Sequence, residues 1–401
     1  METAESSPDH SLAFVSGRPA SAPFYGLSRE QLEFRNVIRE IVTERVAPRA
    51  PEIDAKGEYP QDIRELFADR HLFGLPFEEE DGGTGTGVVM LCVAIEEVAK
   101  ACASSALMLS VQDLASLPIR LAGSEQLKRR TLSRLASGEW IGAFALSEPD
   151  AGSDPGAMRT RARPEGDGWV LNGAKNWISN AGVADLYVVF AVTDPAVPPS
   201  HGITAFAVDA HAPGVSVGSL EHKMGMRGSP TGQPVFEDVL VPNENVIGTP
   251  GEGFKVAMRT LDRSRLGIAA QALGLAQGAT DYAAAFAGDQ VSEPINQQQG
   301  IQFKLADMET KTAAARELLY RAAAKAERSE PDLGKYSAMA KLFCSDVAME
   351  ATIQAVQVLG TYGYVSEHPV ERMMRDAKLT QIYEGTNEIQ RVVIARALRE
   401  K

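Results

Sequence analysis

The sequence predicts a multidomain α+β protein in which helices are followed by a sheet and then by more helices. Apolar residues recur at helical spacing across the first third of the chain and again across the last third. Between them lie short β-like runs separated by glycine, proline and aspartate. Alanine-rich runs and an aromatic content of only 6% favour helices over a β-rich fold. We therefore expect a tail, a helical domain, a middle β-domain and a second helical domain, over residues 1–27, 28–139, 140–250 and 251–401.

The N-terminal zone begins with a predicted loose tail, because its first residues are small or polar and rich in serine and proline. Ser28 is placed to cap the first helix, and Gln31 three residues later completes a capping box. Glycines and prolines separate the later helical patterns. These patterns predict helices at residues 63–70, 88–101, 110–121 and 125–136.

In the middle zone, the β-like runs are short and the turns between them are close. This spacing predicts an antiparallel sheet or a small barrel. The predicted strands cover residues 141–146, 169–171, 186–192, 203–208, 215–217 and 235–241.

In the last zone, long helical patterns return, and two glycines, Gly360 and Gly363, separate the third pattern from the fourth. The predicted helices cover residues 254–286, 301–326, 337–359, 369–377 and 387–398.

Composition narrows the classes of function. The formal net charge is −13, and no basic footprint is present, so we expect no nucleic-acid partner. The three cysteines and six histidines have no ligand spacing, which argues against a metal site and favours a reducing, cytoplasmic compartment. No run of about 18 uninterrupted apolar residues occurs, so we expect no membrane span.

Two segments of the middle zone have the composition of a cofactor site. Residues 145–154, ALSEPDAGSD, end a predicted strand in a small-residue turn. In it, Gly152 permits close backbone approach to a phosphate and Ser153 adds a hydroxyl donor. Residues 175–180, KNWISN, place Trp177 where its indole could lie against a planar cofactor. An ordinary turn and a core tryptophan are the alternative interpretations.

Two segments of the last zone also stand out. Residues 357–364, QVLGTYGY, end a long helix in two glycines, which a plain helix C-cap also explains. Residues 381–391, QIYEGTNEIQR, place Glu384 just before a helix that Thr386 or Asn387 could cap. Taken alone, this pattern favours an exposed turn residue at Glu384 over a functional carboxylate.

Together and in this order, the four segments resemble the acyl-CoA dehydrogenase family, over about residues 28 to 400. The resemblance implies an N-terminal helical domain, a middle β-domain and a C-terminal four-helix bundle. It also implies one FAD per chain, a homotetramer or dimer, an acyl-CoA substrate and an electron-transfer flavoprotein as electron acceptor. The residues it places beside FAD are Phe144, Leu146, Ser147, Gly152, Ser153, Trp177, Ser179, Gln299, Gln357, Gly360, Thr361, Thr386 and Glu388.

The same resemblance assigns the reacting groups. Ser153, Asp262 and Arg265 match residues that contact acyl-CoA. Glu384 matches the base that removes the α-proton before the β-hydride passes to the flavin, which yields a trans-2-enoyl thioester. Some family members carry the base on the helix that holds Asp262 and Arg265, but Ser264 occupies that position here and cannot serve as a base.

One segment departs from the family pattern. The family has an Arg-x-x-Phe-Gly motif between the first two C-terminal helices, whereas residues 287–294 read AGDQVSEP. This difference predicts weaker FAD binding or an altered dimer contact, because a charge-assisted contact is missing.

Three alternatives remain open at this stage: a dehydrogenase of carrier-protein-tethered acyl groups, an oxidase that uses oxygen, and a non-catalytic protein with impaired FAD binding. Residues 109–121 and 266–269 resemble short-chain and branched-chain members, so we expect a short or branched acyl group.

Overall fold

The computed structural model of this protein describes residues 26–289 and 294–399. Most of the predicted tail, residues 1–25, therefore lies outside the described residues. Residues 290–293, at the centre of the segment that departs from the family pattern, also lie outside them.

The N-terminal zone is helical, as predicted. Ser28 caps α1 (Arg29–Ile41) in a full capping box: its Oγ accepts from the Gln31 N–H at 3.2 Å, and its own N–H donates to Gln31 Oε1 at 2.8 Å. The chain continues through a π-helical turn and a 3₁₀ turn into the next helix. The following helices are α2 (Ala50–Lys56), α3 (Gln61–Asp69), α4 (Gly87–Ala99), α5 (Ala103–Ala122) and α6 (Glu125–Ser137).

The middle zone forms a sheet with the strand order β4-β8-β3-β2-β5-β6-β9, in which β1 also pairs with β5 and β7 with β8. A one-turn helix, α7 (Pro199–Gly202), precedes β6. The strands are β1 (Gly142–Ala145), β2 (Arg161–Glu165), β3 (Gly168–Ala174), β4 (Ile178–Ser179), β5 (Leu186–Val192), β6 (Ile203–Asp209), β7 (Val215–Leu220), β8 (Thr231–Pro242) and β9 (Val246–Ile247).

The prediction of an antiparallel sheet needs correction, because the sheet is mixed. β1 runs parallel to β5, and β2 touches β5 in parallel at Arg161 and Val192. The other pairings are antiparallel within the described residues. Parallel pairing needs a long connection, and three strands intervene between β1 and β5. The prediction rested on the close turns, and close turns indicate only which strands are antiparallel neighbours.

The C-terminal zone consists of long helices around a shared core. They are α8 (Gly253–Asp289), α9 (Gln299–Glu327), α10 (Leu333–Leu359), α11 (Val370–Thr380) and α12 (Asn387–Arg399). The largest apolar cluster is continuous from the N-terminal helices into this bundle, whereas two smaller clusters lie within and beside the sheet.

Two glycines allow α8 and α4 to approach closely. A Cβ at Gly274 would lie 2.3 Å from the carbonyl oxygen of Glu96, and one at Gly278 would lie 2.4 Å from that of Lys100. Their spacing of four residues places both on one face of α8. Helix α8, which carries part of the site described below, is thereby fixed against the N-terminal helices.

One helical segment, Leu333–Tyr364, is long and apolar enough to cross a membrane by length and composition alone. Half of its most apolar window is buried, and α10 packs against α8 and α9. These contacts are typical of the core helix of a bundle, so the segment is weak evidence for a membrane span.

Candidate active site

A short strained loop connects α11 to α12 and carries Glu384. Glu384 has φ +51° and Gly385 has φ +90°, so two consecutive residues are left-handed. A non-glycine residue adopts this conformation at a cost in free energy, which contacts with its surroundings must offset. Gln390 Nε2 donates to the carbonyl oxygens of Glu384 (3.2 Å) and Gly385 (2.8 Å). Arg265 Nε reaches the Glu384 carbonyl at 3.3 Å, and Lys341 Nζ reaches that of Gly385 at 2.9 Å.

The Glu384 side chain is partly exposed and points toward α8. Ser264 Oγ donates to Glu384 Oε2 at 2.7 Å. Loss of hydration raises the pKa of the carboxyl to about 7, while the Ser264 hydroxyl and the charges of Arg265 and Lys341 act in the opposite direction. A carboxylate with a pKa near neutrality is suited to accept a proton at physiological pH.

The two predicted substrate residues on α8 lie beside this loop. Arg265 is buried and bonds to Asp262 Oδ1 at 3.1 Å through Nη1. Burial lowers the pKa of Arg265 and raises that of Asp262. Through the bond from Arg265 to the Glu384 carbonyl, the structure brings the predicted base and the predicted substrate residues together.

On the sheet, the two predicted cofactor segments are bonded to each other. The Asn176 N–H donates to the Ser147 carbonyl at 2.9 Å, and Asn176 Oδ1 accepts from the Trp177 N–H at 2.9 Å. Trp177 has φ +61° and its side chain is 59% exposed. A large aromatic residue held in a strained conformation with its face uncovered is typical of a binding surface.

A buried ion pair fixes these two segments. Lys175 is fully buried, and its Nζ donates to Glu148 Oε1 at 2.8 Å and to the Leu146 carbonyl at 3.1 Å. Glu148 also accepts from the N–H groups of Arg159 and Thr160. Burial lowers the pKa of Lys175 to about 8, and the charge of Glu148 opposes this change.

The residues on this side fit the FAD that the resemblance implies. Gly152 and Ser153 are exposed, and a Cβ added at Gly152 would meet nothing within 4 Å, so a ligand has space at the turn. Ser147 and Ser179 are half-buried hydroxyls on the same two segments. An uncovered indole next to an open turn with hydroxyl donors suits a flat ring that carries a phosphate chain.

The remaining predicted cofactor residues fall into two further places. Thr386 caps α12, since its Oγ1 accepts from the Ile389 N–H at 3.4 Å, and Glu388 is exposed in the first turn of that helix. Phe144 and Leu146 lie on and just after β1, where the Phe144 ring packs on Phe190. Exposed at the start of α9 and at the end of α10 are Gln299, Gln357, Gly360 and Thr361.

Several residues that shape the site were not singled out by the sequence. Ser264 was considered only as a replacement for a base, whereas the structure makes it a donor to Glu384. The signal for Ser264 was its match to the alternative base position. Gln390 lies within the segment 381–391 that the sequence pointed to, whereas Lys341 lies on α10 and had no signal of its own in the sequence.

The chain is similar to known proteins over most of its length. Three family models match: the acyl-CoA dehydrogenase N-terminal domain over residues 28–139, the middle domain over 143–239 and the C-terminal domain over 251–399. The chain is 48% identical to the probable acyl-CoA dehydrogenase FadE25 of Mycobacterium tuberculosis, over 95% of this chain and 98% of that protein.

Two further relatives have a more specific description. The short-chain specific acyl-CoA dehydrogenase of Clostridium acetobutylicum is 44% identical, over 92% of this chain and 98% of that protein. The structure of butyryl-CoA dehydrogenase from Megasphaera elsdenii matches with a TM-score of 0.91 and 44% identity, over 94% of this chain and 99% of that one. These similarities extend over all three zones of the fold. The chain therefore belongs to the acyl-CoA dehydrogenase family of FAD-dependent oxidoreductases.

Proposed function

We propose that this enzyme desaturates a short or branched acyl-CoA to the trans-2-enoyl-CoA, with Glu384 as the base that removes the α-proton. The observation that carries the proposal is the Glu384 carboxylate itself. It projects from a strained loop, it accepts a 2.7 Å hydrogen bond from Ser264, and burial raises its pKa to about 7.

The α-proton of a thioester is too weakly acidic for an ordinary carboxylate in water. A bound acyl chain would exclude further water from Glu384, which raises the pKa of the carboxyl and strengthens it as a base. The backbone N–H of Glu384 would donate to the thioester oxygen and stabilise the negative charge that develops there. Arg265 and Asp262 would orient the substrate above the loop. Bound FAD supplies the acceptor for the β-hydride.

The sheet side of the site would hold the cofactor. Ser147, Gly152 and Ser153 would contact its phosphate chain or ring edge, and Trp177 and Ser179 would lie against the ring region. The ion pair between Lys175 and Glu148 would keep the two segments in register.

The preference for a short or branched acyl group rests on packing next to the base. Leu107 and Val111 of α5 and Ile268 of α8 form a small buried cluster against which Tyr383 packs. The Tyr383 hydroxyl also donates to Gln271 Oε1, which anchors the ring beside Glu384. We propose that this cluster and Tyr383 limit the length of the acyl chain that fits beside the base. The butyryl-CoA and short-chain specific relatives support the same preference.

We also propose that the enzyme works in the cytoplasm as a homo-oligomer and passes its electrons to an electron-transfer flavoprotein. The exposed Gln299, Gln357, Gly360 and Thr361 would then reach the FAD of a neighbouring subunit. Sedimentation of the FAD-loaded protein tests the assembly, and a monomer at micromolar concentration would contradict it.

A substrate series tests the proposed specificity. Turnover of straight acyl-CoA thioesters from four to sixteen carbons, and of isobutyryl-CoA, is followed with an artificial electron acceptor and by detection of the enoyl product. We expect the highest kcat/KM on a short or branched chain. Maximal turnover on long chains would contradict the chain-length assignment.

Two control arms of this series distinguish other reactions. A carrier-protein-bound butyryl group turned over faster than butyryl-CoA would show that the substrate is tethered. Rapid peroxide formation without an added acceptor would show an oxidase.

A further inference from the structure

A fully buried lysine lies against the Glu384 loop. Lys341, on α10, is 0% exposed. Its Nζ donates to the Gly385 carbonyl and to Asn387 Oδ1, each at 2.9 Å. The Lys341 side chain therefore hydrogen-bonds the residues immediately before and after Thr386.

The second of these oxygens is itself held in place. Ser345 Oγ lies 3.1 Å from Asn387 Oδ1 and 2.9 Å from its Nδ2, and that Nδ2 also donates to Asp346 Oδ1 at 2.8 Å. Ser345 and Asp346 follow Lys341 by about one turn of the same helix. The contact between α10 and the start of α12 is thus a connected polar network, with Lys341 at its inner end.

The two oxygens that Lys341 contacts are neutral, although a buried ammonium is costly without an opposing charge. Burial lowers the pKa of Lys341 to about 7; the charge of Glu384 is the largest influence in the other direction, and Asp346 and Glu388 add to it. The charge of Arg265, like burial, lowers the pKa of Lys341. The main opposing charge for Lys341 is therefore the proposed base.

Lys341 in turn affects the ionisation of Glu384. Around the Glu384 carboxyl, Arg265 from α8 and Lys341 from α10 favour the ionised form, whereas Asp113 from α5 disfavours it. Tyr383, which precedes Glu384, is a half-buried phenol whose pKa desolvation raises well above its ordinary value, so it stays neutral. Arg265 remains charged throughout, so Lys341 is the titratable cation in this set.

Resting on the role proposed for Glu384, we propose that Lys341 is a positioning residue for the base. It holds the Glu384 loop in its strained conformation, and its ammonium charge keeps the carboxylate ionised until the α-proton is transferred. The two contributions are separable, because a neutral donor can replace the first but not the second.

Two substitutions separate the hydrogen bonds of Lys341 to the loop from the effect of its charge. Lys341→Gln removes the charge and retains a donor toward the loop, and Lys341→Met removes both. The matched control is Lys378→Met, which deletes an exposed lysine of α11 whose Nζ hydrogen-bonds only Gln381 in the described part of the chain. For each FAD-loaded variant, kcat/KM for butyryl-CoA is measured from pH 6 to pH 9, with flavin content and circular dichroism as checks on folding.

We expect both Lys341 variants to move the acidic limb of the profile to higher pH by about one unit, because loss of a nearby cation raises the pKa of Glu384. For Lys341→Gln, kcat/KM should be about tenfold lower than that of the unmodified enzyme at pH 6 and only slightly lower at pH 9. The Met variant should show an additional loss at every pH, and Lys378→Met should match the unmodified enzyme. If the Met variant does not fold, the Gln variant carries the comparison.

If kcat/KM of Lys341→Gln is reduced equally at every pH and the acidic limb of its profile does not move, the proposal is overturned. Lys341 would then be a purely structural residue. Glu384→Gln separates that failure from a failure of the proposed function. If Glu384→Gln is inactive and the limb is unmoved, only the role of Lys341 is wrong. If Glu384→Gln turns over normally, the base itself is wrong.

Discussion

Glu384 is held in a backbone conformation that non-glycine residues rarely adopt, by donors from three different helices. Such strain persists only where the surroundings determine the conformation, and it is concentrated at functional sites. The carboxylate is further fixed by Ser264. The position and the pKa of the proposed base are therefore both set by its neighbours.

Removal of the Ser264 hydroxyl should change the pH dependence of turnover. The hydrogen bond favours the ionised carboxylate and lowers its pKa, so Ser264→Ala should raise that pKa. Because the base works when it is deprotonated, the acidic limb of kcat/KM should move to higher pH, by about one unit or less. Ser337→Ala, which removes a hydroxyl of α10 bonded only to Gly334 among the described residues, is the control. A profile for Ser264→Ala that overlays the unmodified one contradicts this role.

Single residues were also where sequence reasoning was least complete. The match to a family segment pointed to Glu384, but Lys341 lies in an alanine-rich helical pattern where a lysine usually marks a solvated face. Its burial results from the position of α12 against α10, a tertiary contact that helical periodicity does not encode. The donor role of Ser264 likewise depends on the distance between α8 and a loop 120 residues later.

At the scale of elements, the long C-terminal helices were predicted within a few residues because their apolar spacing is sustained over many turns, whereas the helix predicted at residues 110–121 misses the first seven residues of α5 (Ala103–Ala122). β2 was missed, since Arg161–Glu165 is polar and mostly exposed and has no apolar alternation. The parallel pairing of β1 with β5 was missed because it joins strands about 40 residues apart. The first gap concerns a polar strand in a local hairpin with β3, and the second concerns pairing between distant segments.

The packing of α8 on α4 gives a prediction at this scale. Gly274→Ala would force a methyl group to within 2.3 Å of a backbone oxygen of α4, so the helices must separate. We expect a loss of about 1–3 kcal/mol in the free energy of unfolding. Gly300→Ala, on α9, meets nothing within 4 Å and should be neutral or slightly stabilising. Denaturation of both variants under the same conditions checks this, and equal effects would contradict the close approach.

At the scale of the whole molecule, one arginine ties the three zones together. Arg375 of α11 bonds to Asp54 of α2 through Nη2 at 2.6 Å and to the Met224 carbonyl, between β7 and β8, through Nη1 at 3.0 Å. The neighbouring Asp376 is buried, which raises the pKa of its carboxyl to about 6, and it accepts from the Met226 N–H. The loop from the sheet is thus clamped between two helical zones.

A double-mutant cycle on this clamp tests whether the zones are energetically coupled. Arg375→Gln and Asp54→Asn should each lower the melting temperature, and their combination should be less destabilising than the sum, with a coupling of about 1–3 kcal/mol. The exposed pair Arg29 and Glu33 in α1 provides the control cycle, in which a coupling of at most about 0.5 kcal/mol is expected. Additive effects in the Arg375 cycle would show that the clamp contributes little.

The central claim is that Glu384 removes the α-proton, and a single-turnover measurement on Glu384→Gln tests it most directly. The amide keeps the size and a hydrogen-bonding side chain beside Ser264 but cannot take up a proton. The FAD-loaded variant is mixed with butyryl-CoA without oxygen, and the visible flavin absorbance is followed. We predict that the variant retains FAD and its fold and binds the thioester, but that its absorbance decays at least a thousandfold more slowly than that of the unmodified enzyme, on the order of the 4 kcal/mol that loss of a general base can cost. Decay at a near-normal rate would contradict the account.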